Sequence, residues 1–210
     1  MAKRQEEGAI VVRRPNIERL TAHIVGLTQY VQHRFSEKQR QMMLHKHVDP
    51  TQRAKKTRDP KDVDALYRAA MYMTADGRNG IPAAAFRNAM IDACRLAGLK
   101  MTEARMTVFV EHDGIDVNDG TPLVYINGTP EPLILPTRNQ TGVADIRVRP
   151  CWRTWSAELR IAYDADQINA ESVANLLLRA GLQVGVGEGR PFSKKSAGMG
   201  WGTFTLEEQA

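Results

Sequence analysis

Apolar and polar positions divide the chain into a short series of elements. From Ile17 to Thr28, Leu20, Ala22, Ile24 and Gly26 alternate with Arg19, Thr21, His23 and Val25, and this period of two predicts the first core strand. His23 falls on the face opposite Leu20 and Ile24 and is expected to meet solvent. Ahead of it, Ala9 to Val12 is a short apolar patch suited to an edge strand, and Asp62 to Met73 suits a short helix. Gly80-Ile81-Pro82 opens a longer helix, with the proline near the first turn, where its missing N–H costs nothing. Ala85, Phe86, Ala89, Met90, Ala93, Cys94 and Ala97 repeat at three and four to give one apolar stripe, and Gly98 ends it. Cys94 lies on that stripe and reads as a buried structural thiol.

Beyond Gly98, Met106 to Glu111 reads as a strand, Asp113 to Gly120 as a polar turn and Pro122 to Ile126 as a return strand. Leu133 to Leu135 and Thr137 to Gly142 form a hairpin tip or loop. Ala144, Ile146 and Val148 alternate with Asp145, Arg147 and Arg149. Trp155, Ala157, Leu159, Ile161 and Tyr163 alternate with Ser156, Glu158 and Arg160. The short link from Pro150 to Thr154 makes these two segments an expected antiparallel pair. Asn169 is a good N-cap for a second helix with Val173, Leu176, Leu177 and Ala180 on its apolar side and Gly181 closing it. A last strand, Thr203 to Leu206, completes the chain.

Reduced to its core, this order is βαββαβ, an α+β chain of the ferredoxin-like plan that RNA-recognition modules also use. The expected organisation is a single domain over residues 1–210. It carries a mobile basic insertion at 45–62, a hairpin insertion at 107–142 and a glycine-rich loop at 181–202. Two helices would cover one sheet face and leave the other to bind.

Composition narrows the function classes. The chain has 42% hydrophobic and 25% charged residues, ordinary for a globular protein, and contains no apolar run of the ~20 residues a bilayer span needs. Its start, Met-Ala-Lys-Arg-Gln-Glu-Glu, has no apolar segment of signal-peptide type. Cys94 and Cys151 fit no metal spacing and are too few for a disulfide framework, so a reduced, cytoplasmic protein without a membrane partner is expected. A net charge of +5 permits a nucleic-acid partner. Nine Lys/Arg fall between Arg34 and Lys61, among them Lys55 and Lys56, against Glu37, Asp49 and Asp59. Such a run suits a solvated insertion or a phosphate-contacting arm.

Seven of the sixteen glycines lie between Gly181 and Gly202, interleaved with Arg190, Lys194, Lys195 and Trp201. Glycine admits positive φ and lets backbone N–H groups approach a ligand closely, so this segment can wrap an anionic backbone. It can equally be a flexible connector. It is no P-loop, since no glycine precedes Lys194 or Lys195 at the required spacing. Nor is Gly185-x-Gly187-x-Gly189 a dinucleotide fingerprint, because it follows a helix and not a strand.

Two stretches resemble a known family. Gly80-Ile81-Pro82-Ala83-Ala84-Ala85-Phe86-Arg87-Asn88-Ala89-Met90 is similar to the Ile-Pro-Gly-Ser-Ser-Leu-Arg-Gly-Ala-Leu-Arg start of the first helix in repeat-associated mysterious proteins. These proteins are the RNA-binding subunits of CRISPR effector complexes. Residues 185–202 resemble that superfamily's C-terminal glycine-rich loop, and the basic insertion sits where its backbone subunits carry a thumb. Ala84, Ala85 and Asn88 depart from the family's serines and glycine, which removes any phosphate contact by those hydroxyls. A stand-alone phage or mobile-element relative fits as well as a CRISPR-like subunit.

The resemblance implies a protein that holds single-stranded RNA, or single-stranded DNA, by cations and backbone amides and oligomerises along it as a filament. The RNA-binding candidates are Arg87, Arg147, Arg149, Gly187, Gly189, Arg190, Lys194, Lys195, Gly200 and Trp201, with Lys55 and Lys56 in the insertion. Phe192 is a further aromatic, suited to stacking a base or to simple packing. A metal-independent endoribonuclease is the enzyme alternative, with His33, His45 and Asp49 as its candidates. An interaction protein that kept only the fold is the third reading. His45 and His47 lack further ligands nearby, and no metal or cofactor is expected.

Overall fold

The computed structural model describes residues 12–34, 41, 44, 62–138, 144–193 and 196–207. In chain order the strands are β1 (Ile17–Gly26), β2 (Tyr30–Val31), β3 (Gly80–Pro82), β4 (Val108–Val110), β5 (Gly114–Ile115), β6 (Pro122–Tyr125), β7 (Glu131–Arg138), β8 (Ala144–Trp152), β9 (Ser156–Asp164) and β10 (Phe204–Leu206). The helices are α1 (Val63–Ala69), α2 (Ala83–Ala97), α3 (Met101–Thr107) and α4 (Ala170–Arg179), with a π-helical turn over Ala180–Val184.

The chain is a mixed α+β fold of antiparallel sheets. The largest has the order β10-β1-β9-β4; two three-stranded sheets have the orders β2-β8-β7 and β3-β6-β5. The β1 alternation sets the central register, with Leu20, Ala22 and Ile24 opposite Ile161, Leu159 and Ala157 on the inner face. Behind these residues lie Phe86, Met90 and Cys94 of α2 and Val173, Leu176 and Leu177 of α4. His23 is on the outer face as expected, 3.5 Å from Glu158.

Helix ends follow local chemistry. Asp62 Oδ1 accepts from Ala65 N–H at 3.0 Å and Asn169 Oδ1 from Ser172 N–H at 2.8 Å, satisfying first-turn amides. Gly98, at φ 73°, ends α2 in the left-handed conformation. Gly80-Ile81-Pro82 does not form the first turn of α2: it is the strand β3, paired with β6, and Pro82 stands as the N-cap in an extended conformation.

The expected strand pairing is overturned. The segments 144–149 and 155–163 are not partners. β8 pairs instead with β7, from Glu131↔Cys151 to Arg138↔Ala144, and with β2, whereas β9 pairs with β1 and β4. Between β8 and β9 the chain crosses from one sheet to the other, with Trp152 and Trp155 buried on either side of the crossing. The second strand of the large sheet is therefore Val108–Val110, which lies within the stretch expected to be a hairpin insertion. The hairpin itself runs from 131 to 152. Met106 and Thr107 are not strand residues but the end of α3, whose Thr107 hydroxyl donates to Glu103 O at 3.0 Å. The edge strand Ala9–Val12 and the insertion at 45–62 fall, but for Val12 and Asp62, outside the described residues.

Gly181 does not close the second helix either. The chain continues through the π-helical turn to Gly185, at φ 72°. Gly181 is instead where the turn meets β10, and a Cβ there would lie 2.6 Å from Phe204 Cδ2. Glycine to alanine within a helix ordinarily stabilises by up to about 1 kcal/mol. Gly181→Ala is expected to destabilise by about 1–3 kcal/mol, as overpacking does. Thermal unfolding of the purified variant checks the sign.

Candidate nucleic-acid interface

The outer face of the large sheet, expected to be the open binding surface, satisfies its own charges. Arg19 Nε lies 2.7 Å from Glu111, Arg160 contacts Glu111 at 3.7 Å and Asp113 at 2.7 Å, and His23 faces Glu158. Phe109, 41% exposed at the edge of this face, has the Arg87 guanidinium 5.0 Å from its ring centre.

Arg87 is not positioned for phosphate. Its Nε donates to Val108 O at 2.9 Å and its Nη2 to Arg105 O, so it fastens α2 to the end of α3 and to β4. Arg34, first of the basic run, is likewise committed. Its side chain is 4% exposed, 3.4 Å from Asp116 and 3.7 Å from Asp119. Asp116 accepts from the amides of Met73, Asn118 and Asp119, which orients both its oxygens.

A second group of candidates does converge. Arg147 and Arg149 lie not on the large sheet but on β8, where the glycine-rich loop passes. Glu188 reaches them from that loop. Arg149 Nε donates to Glu188 Oε2 at 2.6 Å, Arg147 Nη1 is 3.9 Å from Oε1, and His33 Nδ1 is 3.8 Å from Oε2. Arg149 is the enclosed member, with a side chain 12% exposed; that of Arg147 is 48% exposed. Burial holds the His33 pKa below its ordinary value, and the nearby Arg149 pushes it the same way; Glu188 opposes both.

The loop is stitched to the fold on both legs. Glu188 N–H donates to Val31 O at 2.9 Å, Gly202 N–H to Gln29 O at 2.8 Å, and the Thr28 hydroxyl to Gly200 O at 3.0 Å. Arg190 serves the loop itself, donating to Gly187 O and Phe192 O, each at 3.2 Å. Trp201 packs over Gly189 and donates its amide to Gly189 O at 3.2 Å. Phe192 lies under Arg95, whose guanidinium is 5.9 Å from its ring centre.

The loop glycines therefore have two separate reasons to be glycine. A Cβ at Gly187 would meet Tyr30 Cε2 at 2.6 Å, and one at Gly189 would meet Trp201 Cε3 at 2.6 Å, so these two serve internal packing. Gly200, at φ 75°, has nothing within 4 Å of where its Cβ would stand. The same holds at Gly198, at φ 64°, so neither glycine is required by packing against a neighbour.

Lys194, Lys195, Lys55, Lys56, His45 and Asp49 lie outside the described residues. Among the described residues no group of three or more His, Cys, Asp or Glu could hold a metal ion, and no helix is long and apolar enough to cross a membrane. Glu188 is the member that sequence reasoning missed; its signal was a single carboxylate set between glycines and followed by Arg190. The sequence matches no protein-family model and no curated protein.

Gly189→Val is expected to lower the unfolding temperature more than Gly200→Val. The first adds a clash with Trp201 to the strain at positive φ, while the second adds about 1–2 kcal/mol of strain alone. Thermal melts of the two variants compare them directly.

His33 gives a pH signature. Because its folded-state pKa lies below the unfolded value, the unfolded chain binds the proton more readily as pH falls through about 6.5. Stability is thus fully present above that pH and declines below it. Denaturant unfolding between about pH 7.5 and 5.5 is expected to show a smaller loss for His33→Gln than for the parent chain.

Proposed function

We propose that the chain is a single-stranded-RNA-binding protein that grips the phosphate backbone, largely without regard to base sequence, at the crease between β8 and the glycine-rich loop. The observation that carries this reading is the convergence of Arg147, Arg149 and His33 beside a loop in which a Cβ at Gly198 or Gly200 would meet nothing within 4 Å. Guanidinium groups and accessible backbone amides are the chemistry by which proteins hold a single strand irrespective of sequence.

The proposal includes a ferredoxin-like architecture and descent from the repeat-associated mysterious proteins. Two features support it. The large sheet has β1 and β9 at its centre, and the connections through α2 and α4 each skip one strand, as a βαββαβ chain of that plan requires. The glycine-rich segment also connects the last helix to the last strand. In this reading the basic segment between Arg34 and Lys61 reaches a neighbouring copy's stretch of RNA, and copies assemble head to tail along the strand.

An endoribonuclease is the second reading, favoured by His33 alone. An imidazole kept neutral by burial is in the form a general base needs, and Arg149 beside it can stabilise developing negative charge.

Fluorescence anisotropy with a labelled oligouridylate across a salt series tests the binding reading. Arg147→Gln, and Lys194→Ala with Lys195→Ala, are each expected to weaken binding alike for all base sequences. Each should also reduce the salt slope by about 0.7 per lost phosphate contact. Arg19→Gln, on the self-paired outer face, is expected to change neither quantity. If neither cation set alters affinity or slope, the loop is a connector and the RNA reading fails. Cleavage of the labelled strand that His33→Ala abolishes would put the nuclease in its place.

A further inference from the structure

The crease contains a carboxylate at the point where an RNA site would need none. Glu188 is also held there with some care. Its amide is bonded to Val31 O, Gly187 before it fits against Tyr30, and Gly189 after it fits beneath Trp201. The side chain then faces Arg149, Arg147 and His33 together. An ordinary surface ion pair contributes little and has no need of so fixed a backbone.

Arg149 supplies the reason for an anion at this place. Its guanidinium is largely enclosed, and an enclosed cation without a partner is costly. A carboxylate and a phosphodiester present guanidinium with similar pairs of acceptor oxygens. One can therefore replace the other with little change in the arginine's position.

We propose that Glu188 is a resident substitute for an RNA phosphate: its carboxylate fills the seat made by Arg147, Arg149 and His33 in free protein and leaves it when a phosphodiester enters. This rests on the RNA-binding reading and adds a mode of control to it. The seat is closed to small anions, which must displace Glu188 on their own. A polynucleotide already held along the glycine-rich loop meets the seat at high effective concentration and displaces Glu188 readily. The competing carboxylate also keeps the affinity for any one phosphate low, which suits a protein that must release and re-grip a strand.

The test is the same anisotropy titration with Glu188→Gln, which is expected to bind oligouridylate roughly tenfold more tightly, the effect of handing one charge-assisted hydrogen bond back to the ligand. Its salt slope should rise by about 0.7. Inorganic phosphate should compete with the oligonucleotide in the variant and much less in the parent. Adding Arg149→Gln should remove the gain. Should Glu188→Gln melt below the assay temperature, Glu188→Asp, which shortens the carboxylate's reach, must still bind more tightly than the parent.

If the parent binds RNA and both Glu188 variants bind equally or less well, Glu188 merely supports Arg149; the proposal is overturned and the RNA reading stands. If the parent is silent and Glu188→Gln binds, no phosphodiester displaces Glu188 from the seat, and the proposed exchange is overturned. If neither binds, both readings fall.

Discussion

A row of aromatic rings holds the parts of this molecule together. Trp152 of β8 packs on Tyr30 of β2 with ring centres 5.5 Å apart, and Tyr30 packs on Trp155 at 5.7 Å. Trp155 meets Phe204 of β10 at 6.0 Å, and Phe204 meets Phe86 of α2 at 5.8 Å. Each such pair contributes about 0.5–1.5 kcal/mol beyond the burial of its area. The row also runs from the hairpin sheet through the large sheet to the helical layer, so it joins pieces whose backbones share few hydrogen bonds. Two of the three polar rings find partners: Trp155 Nε1 donates to Thr28 O at 2.8 Å and the Tyr30 hydroxyl accepts from Gln32 at 3.1 Å, whereas Trp152 Nε1 is buried without a hydrogen-bond partner among the described residues. Burial holds the Tyr30 hydroxyl far above its ordinary pKa, so it stays protonated.

The crease is a consequence of that row. Backbone must come unusually close to the rings, and it does so at glycine: a Cβ on Gly26 would stand 2.5 Å from Trp155 Cδ1, and Gly187 leans on Tyr30. The glycine-rich loop is thereby drawn against β2 and the neighbouring β8, and Glu188 comes within reach of Arg149. The outer face of the large sheet lies on the other side of the inner core and has no share in this. Its arginines are neutralised by Glu111 and Asp113, whereas in the crease two arginines face the single carboxylate of Glu188.

Elements whose signal is local could be read from the sequence. The β1 alternation, the α2 stripe with Gly98 after it, and the Asn169 cap all depend on residues a few positions apart. Strand pairing does not. Ala144–Arg149 alternates as a strand should, yet alternation is silent about the partner, and Ile146 is in fact half exposed. Val108–Val110, within the stretch read as a strand from Met106 to Glu111, takes the place in the large sheet expected for 144–149, and nothing local marks that place. The site divides the same way. Arg147, Arg149 and His33 were legible as cationic or titratable positions, but Glu188 is 39 residues from Arg149, and only the fold brings the two together. Arg87 and Arg34 failed as candidates for the complementary reason: a sequence displays a charge without displaying the carbonyls and carboxylates that already occupy it.

On the reading proposed above, RNA would lie in the crease and not across the sheet. Photo-crosslinking with a thiouridine-substituted oligonucleotide, followed by mapping of the modified peptides, tests it directly. Crosslinks are expected within residues 185–202 and on β8 around Arg147–Arg149. Crosslinks concentrated on the outer face, at Phe109 or between Glu158 and Ala162, or none in any peptide, would contradict it.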